Sequence, residues 1–351
     1  MRILFMGETY RTDAITWING IKMASGFDVE TFELPNSESR IARLWALLKK
    51  LFSLFFNRGP YYDIVLAERS TSYGFLALFQ RAKLRVVAQQ GATDLFPNTF
   101  LSKLIKGWIQ KQVYRKSDLI HAWGQTMYQH MLSIGVDPHK IILGPKGIDL
   151  SVFIFESFHL KSLKPLNLVV TRSLEWYYRH DLILQAISKL VSIHPEIVLH
   201  IVGDGSQKQK LVDLSDRLGI SDCVVFHGRI NQAELAKLLM ISRIYISAPN
   251  TEGYSSSLME AMACGCIPVI TDLPSNRENI THGVNGFLFE NGNPNELNNC
   301  LEQVLKFTGD LSLFSDNNRK TAENQFDVSK NMKHFWTLYT HKLTQLSSVA
   351  N

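Results

Sequence analysis

Cysteine is scarce: four residues in 351, Cys223, Cys264, Cys266 and Cys300, all in the second half. Their spacing suits neither a zinc site nor a disulfide framework. They read as reduced, buried thiols of a cytosolic protein. No apolar run is long enough to span a bilayer. The opening MRILFMG reads as a strand rather than a secretory leader, since it lacks separate charged and apolar regions. No G-x-G-x-x-G follows that strand, which argues against a dinucleotide there. The aromatic-plus-basic strand pattern of single-strand binders is missing, as is any DNA-reading motif, so nucleic acid is not an expected partner. Acid is absent from residues 39–62. Residues 1–150 hold 19 Lys and Arg against 12 Asp and Glu, whereas the remainder holds 18 against 20. A basic first half calls for an acidic partner, such as a phosphorylated acceptor or a membrane surface.

What is present is alternation. Short apolar strand candidates (2–6, 27–34, 63–67, 84–89, 119–123, 141–143) are separated by helical periodicity, and the pattern resumes at 167–171, 197–202, 224–227, 244–248 and 267–271. This predicts an α/β chain, long enough for two domains. The expected boundaries are 1–153, a linker at 154–165, 166–325, and a final helical segment, 326–351, crossing back to the first domain. The loop after the first strand, with Gly7 and Glu8, is expected to line a ligand crevice, because loops at the carboxyl ends of parallel strands do so. Residues 39–58 place Ile41, Leu44, Trp45, Leu48, Leu51, Phe52 and Phe55 on one helical face, widened by Leu47, Leu54 and Phe56. Two readings stay open for it: a helix packed on its sheet, or an interfacial helix drawn to anionic lipid. The expected location is cytoplasmic, with peripheral attachment to the inner membrane face under the second reading.

The most informative stretch is APNTEGYSSSLMEAMACGCIPVIT, residues 248–271. It reads as strand end, turn, helix and strand. A helix opened by Ser255, Ser256 and Ser257 presents free backbone N–H groups and the positive end of its dipole, an anion site with no side-chain charge. Helical side chains lean toward the N-terminus, so Glu260 reaches back beside that site. A carboxylate there accepts hydroxyl hydrogen bonds, as from a ribose diol. Glu252, before the helix, would face hydroxyls on the far side of the phosphates. Ribose, diphosphate and sugar in that order make a nucleotide-sugar. Taken singly, either acid also reads as an ordinary helix carboxylate.

Glu252 and Glu260, with the Gly253 turn and the serine-rich helix start, resemble the E-x7-E motif of retaining GT-B glycosyltransferases of family 4. Further matches come in the family's order. They are Gly91 with Asp94; Ser117-Asp118-Leu-Ile120; Pro145, Gly147, Asp149 and Phe153; Arg172 at a strand end; Gly203-Asp204-Gly205; Gly228-Arg229; and Gly283-Val-Asn-Gly286-Phe-Leu-Phe289. The resemblance is strong over 167–292, moderate over 84–153 and thin before that. Where many members carry a histidine, glutamines stand here at Gln89-Gln90.

The resemblance implies two Rossmann-like domains facing across a cleft, with a nucleotide-sugar on the second and the acceptor on the first. It implies retaining transfer without a metal from a nucleoside-diphosphate sugar, a UDP-sugar being favoured. The acceptor would be a saccharide or lipid-linked, in surface glycan synthesis. Glu260 would hold the ribose. The Ser256, Ser257 and Leu258 amides, with Arg172 and Arg179, would hold the diphosphate. Glu252 would orient the sugar, with Tyr254, Ser255, Gly203 and Arg229 completing the donor site. Gly7, Glu8 and Asp94 are the acceptor-side candidates. A nucleotide-sugar epimerase or phosphorylase, or a non-catalytic nucleotide-sugar-binding scaffold, remain the alternatives.

Overall fold

The computed structural model describes residues 1–34, 40–57, 59–89, 100–161 and 164–349. The chain divides into two compact units, Met1–Lys146 with Val328–Asn351, and Gly147–Asp327.

The first unit is a parallel sheet of six strands, β1 (Ile3–Met6), β2 (Val29–Phe32), β3 (Tyr62–Glu68), β4 (Ala82–Ala88), β5 (Leu119–Ala122) and β6 (Ile141–Leu143), in the order β2-β1-β3-β4-β5-β6. Central strands buried on both faces are mostly apolar: Ile3–Met6 is apolar and buried at every position, and Leu119–Ala122 is buried throughout with one polar member, His121. From β2 onward every crossover runs the same way across the sheet. Right-handed connections therefore place the helices Arg40–Asn57, Tyr73–Ala77, Phe100–Lys116 and Gln125–Ser133 on one face. The helix Thr12–Ser25 takes the other face, packed on the long helix Val328–Val349. That pairing is close: a Cβ on Gly20 would lie 2.3 Å from Met332 Cγ. Met332, Phe335, Tyr339 and Leu343, one stripe of the long helix, are buried there.

In the second unit the strands are β7 (Leu166–Thr171), β8 (Ile197–Val202), β9 (Val224–Gly228), β10 (Ile244–Ser247), β11 (Ile267–Thr271) and β12 (Phe287–Phe289), ordered β12-β11-β10-β7-β8-β9 and parallel. The chain winds outward from β7 to β9, returns to β10 beside β7, then winds the other way. The switch point therefore lies between β7 and β10, and a crevice opens at their carboxyl ends. Two apolar clusters fill the two faces, one around Leu168, Ile187 and Leu301, the other around Tyr245, Met262 and Phe326.

The segment read as a linker begins on this unit. Phe158 is buried in its core. The Lys161 ammonium is buried too and donates to the carbonyls of Leu239 (3.1 Å), Ser242 (2.7 Å) and Cys264 (2.8 Å). These carbonyls lie at the C-terminal ends of the helices Gln232–Ile241 and Ser256–Ala263, where helix dipoles favour a cation.

Candidate active site

Arg172 follows the last residue of β7, and Ala248–Glu252 follows β10, so both enter the switch-point crevice. The Arg172 guanidinium donates through Nη2 to Glu252 Oε2 and to Ser255 Oγ. Its ring neighbour is Tyr178, 5.2 Å from guanidinium carbon to centroid. Burial works to lower the Arg172 pKa, but the charge of Glu252 and weaker neighbours outweigh it and hold the cation more firmly than usual. The Nε of Arg172 is buried and has no hydrogen-bond partner. Glu252 is anchored from behind, where its carbonyl accepts from Ser275 Oγ at 2.9 Å.

The helix Ser256–Ala263 begins here. Ser255 is its N-cap, accepting from the Leu258 amide at 3.1 Å. Ser257 Oγ donates to the Thr171 carbonyl at 2.8 Å and fixes the helix start against the end of β7. This cap corrects one expectation: the Leu258 amide is already engaged. The anion site narrows to the amides of Ser256 and Ser257, which helix geometry leaves without an intrahelical acceptor. Glu260 lies one turn in and is almost wholly buried. Burial pushes its carboxyl up to about 7, partly opposed by the Arg172 charge. Its side chain has no hydrogen-bond partner among the described residues.

The remaining candidates divide. Gly203 is required by close approach: with φ of 141°, its Cβ would sit 2.1 Å from the Arg172 carbonyl oxygen. Tyr254 packs against the apolar cluster, and burial raises its hydroxyl pKa. Arg229 is exposed just after β9. Arg179 is not a free cation, since it donates to Asp181 at 3.0 Å from Nε and from Nη2. It also stands in the left-handed region, with φ of 50°. Its charge is therefore largely met within its own loop.

The first unit brings Gly7 and Glu8 to the ends of β1 and β3, at that sheet's own switch point. Glu8 forms a two-pronged pair with Arg69, at 2.8 and 2.7 Å. Asp94 lies outside the described residues. Gln89 is fully buried, accepting from Gln110 at 3.4 Å and from the Tyr114 hydroxyl.

Sequence reasoning missed a buried polar group around Arg172. His180 is 2% exposed, neither ring nitrogen has a partner, and burial, with Arg172 adding, lowers its pKa to about 4. The Tyr245 hydroxyl, Ser247 Oγ and Thr171 Oγ1 are likewise buried, and the tyrosine interacts with both of the other side chains. The available signal was the position of Thr171, Tyr245 and Ser247 in the strands flanking the switch point, whereas His180 opens the helix His180–Val191 nine residues past β7.

Two parallel sheets and a cation–carboxylate pair at a helix N-terminus define a GT-B architecture, and known proteins bear out the fold. HepE of Anabaena, in its structure with UDP and glucose, superposes over 97% of this chain and 100% of that one, with TM-score 0.77 and 17% identity. Residues 154–321, which lie in the second unit, match the family Glycosyl transferases group 1. An uncharacterized glycosyltransferase of Methanocaldococcus jannaschii is 22% identical over 307 residues, 83% of this chain and 78% of that one. The 4-alpha-N-acetylgalactosaminyltransferase of Campylobacter jejuni, which acts on N-acetylgalactosamine-N,N'-diacetylbacillosaminyl-diphospho-undecaprenol, is 24% identical, covering 83% and 79%. Several other matches run over less than half of either chain.

Proposed function

We propose that the protein transfers a sugar, with retention, from a UDP-sugar to a saccharide or lipid-linked acceptor in surface glycan synthesis. One observation carries this reading. Arg172, Glu252, Ser255 and the start of the helix Ser256–Ala263 form a single hydrogen-bonded unit at the switch point, with Glu260 one turn behind. A UDP complex of a protein of the same fold supports the donor class. The undecaprenol-linked substrate named for one relative supports the acceptor class.

The chemistry follows from charge. As the bond from the anomeric carbon to the diphosphate oxygen breaks, negative charge gathers on that oxygen. Arg172 and the amides of Ser256 and Ser257 are fixed where they would meet it, so neutralisation needs little reorganisation. These groups supply the positive charge that a metal would otherwise bring. Glu252, held by Arg172, would take sugar hydroxyls and set the face presented to the acceptor. Glu260, lacking a protein partner, would accept from the ribose diol. The acceptor hydroxyl would attack on the face the diphosphate leaves, and its proton would depart with the diphosphate.

The test pairs calorimetry with product analysis. UDP should bind in preference to GDP, ADP and NAD. At about 100 times its dissociation constant it should add roughly 2.7 kcal/mol of stability. The glycoside formed from a UDP-sugar should keep the donor's anomeric configuration by NMR. An inverted product, or no nucleotide binding, overturns the reading.

A further inference from the structure

We propose that the first unit docks on anionic lipid bilayers through two helices of one sheet face, Arg40–Asn57 and Phe100–Lys116. The inference rests on no part of the donor-site reading.

The apolar stripe of the helix Arg40–Asn57 points outward. Trp45 (69% exposed), Leu48, Phe52 (68%) and Phe56 (67%) recur at helical spacing along its open side, whereas Leu54 faces the sheet and is buried. Phe52 and Phe56 pack ring on ring, with centroids 4.4 Å apart. The helix Phe100–Lys116 repeats the pattern. Its inner face buries Gln110, Val113 and Tyr114, and its outer face exposes Leu104, Ile105 and Trp108 (60%). Both helices contact the short helix Tyr73–Ala77 between them. They form a paired surface, each about 25 Å long at 1.5 Å per residue.

Scattered exposed apolar residues mean little, but large side chains concentrated on one face mark an interaction site. Charge decides what covers it. Among the described residues, none of the four helices on this face contains an aspartate or glutamate, while Lys49, Lys106, Lys111 and Arg115 stand exposed beside the apolar residues. A protein partner or a second copy would have to meet that uniform charge with acids, and these helices offer none to a copy of themselves. A bilayer supplies both requirements together, acyl chains for the tryptophans and phenylalanines and anionic headgroups for the lysines. No helix among the described residues is long and apolar enough to cross the membrane, so the contact lies along the surface.

The test is flotation of the full chain with vesicles of phosphatidylcholine alone and of an equal mixture with phosphatidylglycerol. Binding is expected to the mixed vesicles, weakened by salt. Two sets of serine substitutions, at Trp45, Phe52 and Phe56 and at Leu104, Ile105 and Trp108, should each weaken it. Lys49→Glu with Lys106→Glu should cost roughly 25-fold or more, at about 1 kcal/mol per basic residue near an anionic surface. Circular dichroism melts matching the parent show that the variants fold, and the charge pair remains informative if a serine set does not. No flotation of the parent overturns the proposal. So does flotation unchanged in the charge pair, or a dimer abolished by the same substitutions.

Discussion

Glu260→Gln should make the unliganded protein more stable above neutral pH and a poorer binder of nucleotide. The native carboxyl titrates at about 7 because burial penalises its charge. In the unfolded chain it titrates near the ordinary 4.5. Between these values the native state holds a proton that the unfolded chain has lost, so stability is present below pH 4.5 and drains away as pH rises to 7. Integrated, the displacement is about 3 kcal/mol. Glutamine does not titrate, although its amide still needs partners, so about 2 kcal/mol should be recovered at pH 8. For a unit of this size that is roughly 4–8 °C in melting temperature. Near pH 4.5 the variant and parent should melt together. Affinity for UDP should move the opposite way. Replacing a charge-assisted acceptor by a neutral one costs about 1.5–3 kcal/mol, or tenfold to a hundredfold or so. The parent's own affinity should rise as pH climbs through 7. Melts across pH with titration calorimetry read all three effects. A variant destabilised at pH 8 that binds UDP normally would falsify the assignment of Glu260 as a buried carboxylate kept for the donor.

Arg172→Lys should fold but lose turnover by about 100-fold or more, because an ammonium cannot serve Glu252, Ser255 and the leaving group through one planar fork; steady-state kinetics with a UDP-sugar decide it. Gly203→Ala should destabilise the second unit by about 3 kcal/mol or more, since the new methyl meets the Arg172 carbonyl in a backbone region that L-residues avoid; an unchanged urea midpoint would contradict that contact. Lys161→Met should cost about 3 kcal/mol or more by stranding three buried carbonyls, again read by urea unfolding.

The parts of this molecule legible in its sequence are those specified locally. Continuous apolar runs announced the buried strands, and the serines before Leu258 announced a helix start beside two acids. What stayed hidden depends on partners brought together by strand order. Arg69 meets Glu8 because β3 lies beside β1, and nothing near either residue says so. The Lys161 ammonium finds carbonyls from 78 to 103 residues away. The Leu258 amide could have been assigned to its cap, because a serine three residues before a helix amide is a common N-cap. Arg179 could likewise have been paired with Asp181. The helix Arg40–Asn57 was ambiguous because its apolar residues wrap too far round to show which side the sheet takes.

The long helix Val328–Val349 completes the core of the first unit, yet it is translated only after the whole second unit. Until then the side of Thr12–Ser25 that carries Gly20 lacks its partner helix. At about 5–20 residues per second that interval is roughly 10–40 s. The second unit can fold as it emerges, but the first must wait for its last piece. During synthesis the order of assembly is therefore reversed relative to the order of the chain, and the half made first is the half most dependent on protection while nascent.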